Sequence, residues 1–312
     1  IQGLSKGWAG LKWLLKILLP ISLVTTVLVN YGLIYKLDVV LTPLMNWISL
    51  PASAAIVIIA GLFTGIYGTV AALSVMPFSM EHMILIAVFT LISHNLFQES
   101  LVQGKSGFNM WAAMAFRLCM AFLVTFICAR LLGAASGGEL VEPAGVPAIE
   151  PLSFKAMMIE WAGKTFKLAV QIFCIIMPLM VMMELAKAFR IIDLLTRVIS
   201  PVLTLMGLKK NTGMLWITAA VFGLAYGSAV MVEETRTNDY DPEELTRLHL
   251  SVGINHAMIE DPALFLPLGL PAFWLWVPRL VAAIAAAWLH WGYSASRRYY
   301  AQRFSHKKLC NH

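Results

Sequence analysis

Two short polar runs break into otherwise apolar sequence, and their residue types are those that bind solutes, ions or protons. The first is Ser93-His94-Asn95-Leu96-Phe97-Gln98-Glu99-Ser100, and the second is Asn255-His256-Ala257-Met258-Ile259-Glu260-Asp261-Pro262. Asn95/Glu99 and His256/Glu260 are each four residues apart, so on a helix each pair shares one face. Ionisable groups inside apolar spans are costly and are by default functional candidates. Three chemistries fit. Carboxylate and amide together hydrogen-bond the hydroxyls and base edges of a nucleoside-like solute. His256, Glu260 and Asp261 form a donor set for a divalent metal such as iron, manganese or zinc. His256 and Glu260 also suit a proton relay. The competing reading is structural, with His256 and Glu260 satisfying each other or capping a broken helix before Pro262.

Glycine breaks accompany these runs. Gly61, Gly65 and Gly68 interrupt one apolar segment, and Gly223 and Gly227 another. Tyr67-Gly68 and Tyr226-Gly227 look like matching points where a helix unwinds and exposes backbone to a solute. The alternative is close helix packing through small residues. Glu233 and Glu234 follow the second break, begin a polar stretch that runs to Leu245, and join the candidate site residues. Arg117 and Arg279 suit pairing with Glu99 and Glu260, binding of an anionic group, or snorkelling to the interface.

The elements that must carry these residues are membrane helices. Of 312 residues 59% are hydrophobic and 13% charged, against roughly 45–50% and 25% in soluble domains. That balance excludes disorder, a coiled coil and a nucleic-acid module, and leaves too little polar shell for a soluble enzyme. Apolar stretches at about 8–35, 51–76, 82–98, 109–133, 166–188, 212–232, 246–268 and 271–292 fit an all-α, polytopic integral membrane protein. Shorter stretches at 38–49 and 191–207, with Pro43 and Pro201, fit interfacial or re-entrant helices. No Ser-His-Asp order, HExxH, P-loop or GxGxxG motif is present, so neither an enzyme nor a cofactor is expected. The four cysteines have no paired spacing, and the start leads into a segment too long for a cleavable leader.

The chain reads as an internal duplication. Trp8-Ala9-Gly10 recurs as Trp161-Ala162-Gly163, and Pro20 and Pro43 recur 158 residues on as Pro178 and Pro201. Tyr67-Gly68-Thr69 matches Tyr226-Gly227-Ser228 at 159, Glu99 matches Glu260 at 161, and Arg117 matches Arg279 at 162. This alignment sets Asn95 opposite His256. It divides the chain into a first repeat (1–133), a linker (134–152), a second repeat (153–296) and a basic tail (297–312). Lys6, Lys12 and Lys16 at one end, and Arg297, Arg298, Arg303, Lys307 and Lys308 at the other, place both termini in the cytoplasm. The linker has three glutamates and no basic residue, so it is expected outside, although Lys155, Lys164 and Lys167 follow it closely. Each half then crosses an odd number of times, and the repeats are inverted.

The run AYGSAVMVEE (225–234) followed by NHAMIEDPALFLPLG (255–269) resembles the nucleoside-recognition, or Gate, family. YGTVAAL (67–73) and HNLFQES (94–100) look like a diverged second copy, with Ser100 where the aspartate would stand. Related Gate domains occur in the bacterial ferrous-iron transporter, in spore maturation proteins and, distantly, in concentrative nucleoside transporters. The resemblance implies two Gate repeats with broken helices in a bacterial or archaeal cytoplasmic membrane, acting as a permease for a small polar solute. His94, Asn95, Gln98 and Glu99 would line one side of a midplane site, and Asn255, His256, Glu260 and Asp261 the other. An iron-type divalent metal carrier and a non-transporting membrane scaffold are the alternatives. No GTPase domain and no cysteine in either glycine break are present, which separates the chain from the iron transporter's pattern. The expected partners are the lipid bilayer and a small solute or ion, without nucleic acid, and homo-oligomerisation stays open.

Overall fold

In the computed structural model, residues 2–31, 38–133, 152–189 and 191–309 are described, and no strand occurs among them. The first half consists of α1 (Gln2–Asn30), α2 (Asp38–Asn46), α3 (Ala54–Thr64), α4 (Ile66–Leu73), α5 (Met80–Ser93), α6 (Leu96–Lys105) and α7 (Met110–Leu131). The second consists of α8 (Phe154–Ala188), α9 (Ile191–Leu205), α10 (Lys210–Thr237), α11 (Pro242–Ile254), the single turn α12 (Glu260–Ala263) and α13 (Ala272–Leu309). Local sequence explains several starts. Ser79, Asn109 and Asp241 each accept a backbone N–H with the side chain, and Pro242 occupies the first turn of α11.

The same backbone interruptions recur in both halves. Gly65 separates α3 from α4 at φ 80°, ψ −170°, and Gly223 kinks α10 at φ 72°, ψ 169°. That conformation is accessible almost only to glycine. Asn95, between α5 and α6, and Ala257, between α11 and α12, are both left-handed at φ 45°. The breaks are therefore one residue wide at the glycines. Gly68 and Gly227 are helical rather than unwound, because a single positive-φ residue suffices to redirect the chain.

This geometry corrects the register read from sequence. Gly65 corresponds to Gly223 at 158, the offset of the proline pairs. After the glycine break the offset is 162: α5 and α7 begin at Met80 and Met110, α11 and α13 at Pro242 and Ala272. His94 therefore corresponds to His256, Asn95 to Ala257, and Glu99 to Asp261. The Tyr-Gly match at 159 and the Glu99–Glu260 match at 161 are each off by one.

Packing between the halves is reciprocal. α5 packs on α7 and α11 on α13 within the halves, while α5 meets α13 and α7 meets α11 across them; α1 packs on α8. An interface in which element i meets j′ and j meets i′ is that of a two-fold relation. α5 is the centre: every residue from Ile84 to His94 is buried, as expected of a helix apolar all round. α7 and α13 instead present Trp111, Leu123, Phe126 and Leu131, and Phe273, Val281, Trp288 and Leu289, on the outside. Exposed apolar area on that scale is a lipid-facing surface.

Among the described residues, three segments are long and apolar enough to cross a membrane: Met80–Lys105, Met110–Leu131 and Ala272–Arg297. The first includes the His94–Asn95 break. The stretch at 51–76 is two helices rather than one, and the polar run from Glu233 is shorter than expected because α10 continues to Thr237. The tail is helical to Leu309 as a continuation of α13. Of the linker only Leu152 lies within the described residues, and its N–H donates to the Asn30 side chain at 3.1 Å.

Candidate functional site

A broken helix leaves carbonyls without partners, and in hydrocarbon each such group costs several kcal/mol. The first break solves this with a buried arginine. Arg117 on α7 donates from Nε to Ile92 O at 3.0 Å and from Nη2 to His94 O at 2.8 Å. The second break repeats the solution, with Arg279 on α13 donating to Ile254 O at 3.3 Å and His256 O at 2.6 Å. Both arginines are fully buried, so neither snorkels. A cation at a helix C-terminus also complements the dipole there.

The amides past each break are satisfied by the glycine-broken helices. Asn95 N–H donates to Gly61 O at 3.1 Å, and Ala257 N–H to Ala219 O at 3.1 Å. Each left-handed residue also sits on its glycine. A β-carbon added at Gly65 would lie 2.7 Å from Asn95 Nδ2, and one at Gly223 3.2 Å from the Ala257 β-carbon. Backbone strain and close approach thus coincide at the same two places.

The side chains gathered by these breaks form the charged centre. Nδ1 of His94 lies 3.0 Å from Thr90 O and Nδ1 of His256 2.9 Å from Val252 O. A carbonyl only accepts, so both Nδ1 atoms carry hydrogen, and both Nε2 atoms face the centre. The two rings lie 5.0 Å apart between centroids. Glu99 ties the halves together: Oε2 is 2.6 Å from Arg117 Nη2 and 3.0 Å from His256 Nε2, while Oε1 is 3.3 Å from His94 Nε2. Asp261 Oδ2 lies 3.1 Å from His94 Nε2. Distance alone overstates some of these contacts. His256 Nε2 and Asp261 Oδ2 are buried and make no hydrogen bond of acceptable direction.

The structure does not bring all the sequence candidates to this centre. Glu260 stands beside it, accepting from the Tyr67 hydroxyl at 2.7 Å across the two halves. Asn255 is buried and directs Nδ2 to Met258 Sδ at 3.3 Å. Asn95 acts at the Gly65 break. Gln98 is exposed, being about 100° round the helix from Glu99. Glu233 and Glu234 are exposed on the far end of α10, where Glu234 Oε2 accepts from Asn238 at 2.9 Å. They lie about ten residues past Gly223, about 15 Å along the helix. Gly227 is helical, as is Tyr226, whose side chain falls outside the described residues. The donor set expected from His256, Glu260 and Asp261 is replaced by His94, Glu99 and His256, whose ligand atoms lie within 4.8 Å of one another. The arginines are the main residues that the sequence left undecided; their recurrence at 162 was the available signal.

Helices of this length and apolar surface, wrapped around a buried charged centre, define an all-helical polytopic membrane protein. Over 304 residues the chain is 29% identical to a Bacillus subtilis (strain 168) protein named uncharacterized membrane protein YvoD, covering 95% of this chain and 96% of that protein. No family model matches the chain, and no solved structure matches it.

Proposed function

We propose that the chain is a transporter-like permease of the nucleoside-recognition (Gate) kind, moving a small polar solute or ion through a site between two inverted repeats. The observation that carries the reading is the His94–Glu99–His256–Asp261 cluster, buried where two broken helices meet. Charged groups at such a depth are expensive and are retained where they bind or move something. Broken helices at corresponding positions of two repeats are the usual construction of a midplane transport site. Alternating access is motion of one half against the other across the α5–α13 and α7–α11 contacts. With the imidazoles 5.0 Å apart, an ion fits between them, whereas a nucleoside-sized solute needs the halves to part first. We place the protein in a bacterial or archaeal cytoplasmic membrane with both termini inside, on the charge pattern of its ends.

The test is uptake into proteoliposomes from a panel of nucleosides, nucleobases, organic anions and divalent metals. At least one solute is expected to enter saturably. Glu99→Gln and His256→Ala are expected to lower that flux at least ~10-fold while inserting normally. Undiminished flux in both variants removes the cluster from the transport path, and no flux of any solute removes the permease reading.

A further inference from the structure

We propose that His94 Nε2, His256 Nε2 and the Glu99 carboxylate, with Asp261 as a fourth donor, form a binding site for one divalent first-row transition-metal ion. Donor chemistry is the first argument. Two imidazoles with carboxylates suit zinc, iron or manganese, and the absence of thiolate from the set disfavours Cu(I). Spacing is the second. Ligands about 2.0–2.1 Å from a tetrahedral ion stand about 3.3 Å from one another. One ligand atom each from His94, Glu99 and His256 lie within 4.8 Å of one another, and Asp261 Oδ2 lies 3.1 Å from His94 Nε2, so small side-chain shifts bring the donors to that spacing.

Direction is the third and most independent argument. The fully buried His256 Nε2 lies within reach of Glu99 Oε2, yet no hydrogen bond of acceptable geometry joins them, and Asp261 Oδ2, 3.1 Å from His94 Nε2, likewise makes none. Ion pairs held for their own sake align donor and acceptor. Lone pairs converging on a shared point do not. Protonating both rings instead would set two imidazolium ions side by side at 5.0 Å. The outer partners are also those of a metal centre. Both Nδ1–H groups are anchored on backbone carbonyls, which fixes the Nε2 lone pairs inward, and Arg117 holds the Glu99 carboxylate in place.

As a bound ligand the ion stands independently of transport; as cargo or coupling ion it rests on the permease reading. The experiment is titration of metal-stripped, detergent-solubilised full-length protein with Co²⁺, read by its visible d–d absorption, followed by competition with Zn²⁺. One Co²⁺ per chain is expected, with the intensity of a four-coordinate nitrogen–oxygen site. His94→Gln and His256→Gln are each expected to weaken binding ~100-fold or more while helicity is retained. Stoichiometric binding that both variants retain, or no binding by the wild type, overturns the site. If the variants do not fold, X-ray absorption of the wild-type Co²⁺ complex decides, since two imidazoles must appear in its scattering and fewer overturn the assignment. Binding without metal flux in proteoliposomes keeps the site and removes the ion as cargo. Flux of another solute without metal binding removes the site and keeps the permease reading.

Discussion

The first broken helix, α5–α6, and the second, α11–α12, share a backbone and differ in charge. In both, an arginine from the next helix closes the two carbonyls around the break, and a histidine closes the carbonyl four residues back. In both, the residue after the histidine is left-handed and donates to a glycine-broken helix. The carboxylates do not match. Glu99 reaches its arginine and both histidines, whereas its counterpart Asp261, one methylene shorter, reaches only the histidine of the other half. Among the described residues Arg279 pairs with no carboxylate and donates to carbonyls alone. What lipid demands of a broken helix is thus met twice in the same way. The chemistry grafted onto it is met once.

The sharpest way to break this comparison is to remove the arginines. Arg117→Met strands the carbonyls of Ile92 and His94 and leaves Glu99 without its strongest partner. Breaking a buried ion pair costs about 3–5 kcal/mol. Arg279→Met strands carbonyls only, at about 1–3 kcal/mol. Chemical unfolding of the solubilised variants should rank them in that order. Equal losses would show that Asp261 leans on Arg279 as fully as Glu99 leans on Arg117.

Much of this arrangement was legible in the sequence, and the rest was lost for identifiable reasons. Helical membrane character follows from composition, and the polar runs at 93–100 and 255–262 mark both breaks because each gathers a histidine, an amide and a carboxylate within a few residues, although Arg247 and His249 also interrupt the second span. Register was lost because identical letters outweighed geometry. Glu99 matches Glu260 in type, but Asp261 has the same backbone bond, its N–H donating to Ala257 O as that of Glu99 does to Asn95 O. Gln98 was misplaced because adjacency in sequence is a turn of about 100° on a helix. Glu233 and Glu234 were misplaced because α10 carries them away from Gly223 before the chain turns. Arg117 and Arg279 stayed ambiguous because apolar flanks look alike around a snorkelling and a buried guanidinium. Only the open carbonyls decide, and these appear once the helix is known to break.

A second comparison sets the glycines side by side. Gly65→Ala adds a β-carbon 2.7 Å from Asn95 Nδ2 at φ 80°, and Gly223→Ala adds one 3.2 Å from Ala257 at φ 72°. Both carry about 1–3 kcal/mol of backbone strain, and the closer contact makes Gly65→Ala the more damaging. Thermal denaturation should show it, and Asn95→Ala in the Gly65→Ala background should recover part of the difference. No recovery would mean that the strain lies in the backbone alone and that the two breaks are equivalent.

The smallest effect concerns the two left-handed residues, and here a gain is expected. Ala257 holds φ 45° without the local polar compensation that lets asparagine tolerate this region. Ala257→Gly relieves roughly 1–2 kcal/mol of that strain. Against it stands the greater freedom of glycine in the unfolded chain, about 0.4–1 kcal/mol, and the lost methyl contact over Gly223. The net expectation is a slightly raised melting temperature, corresponding to about 0.5 kcal/mol. Asn95→Gly has less strain to relieve and loses the side chain packed on Gly65, so it should lower the melting temperature. Opposite signs at two positions with the same φ would separate side-chain contact from backbone conformation. A fall in both would show that the Ala257 methyl, like the Asn95 amide, is there to hold its glycine-broken helix in place.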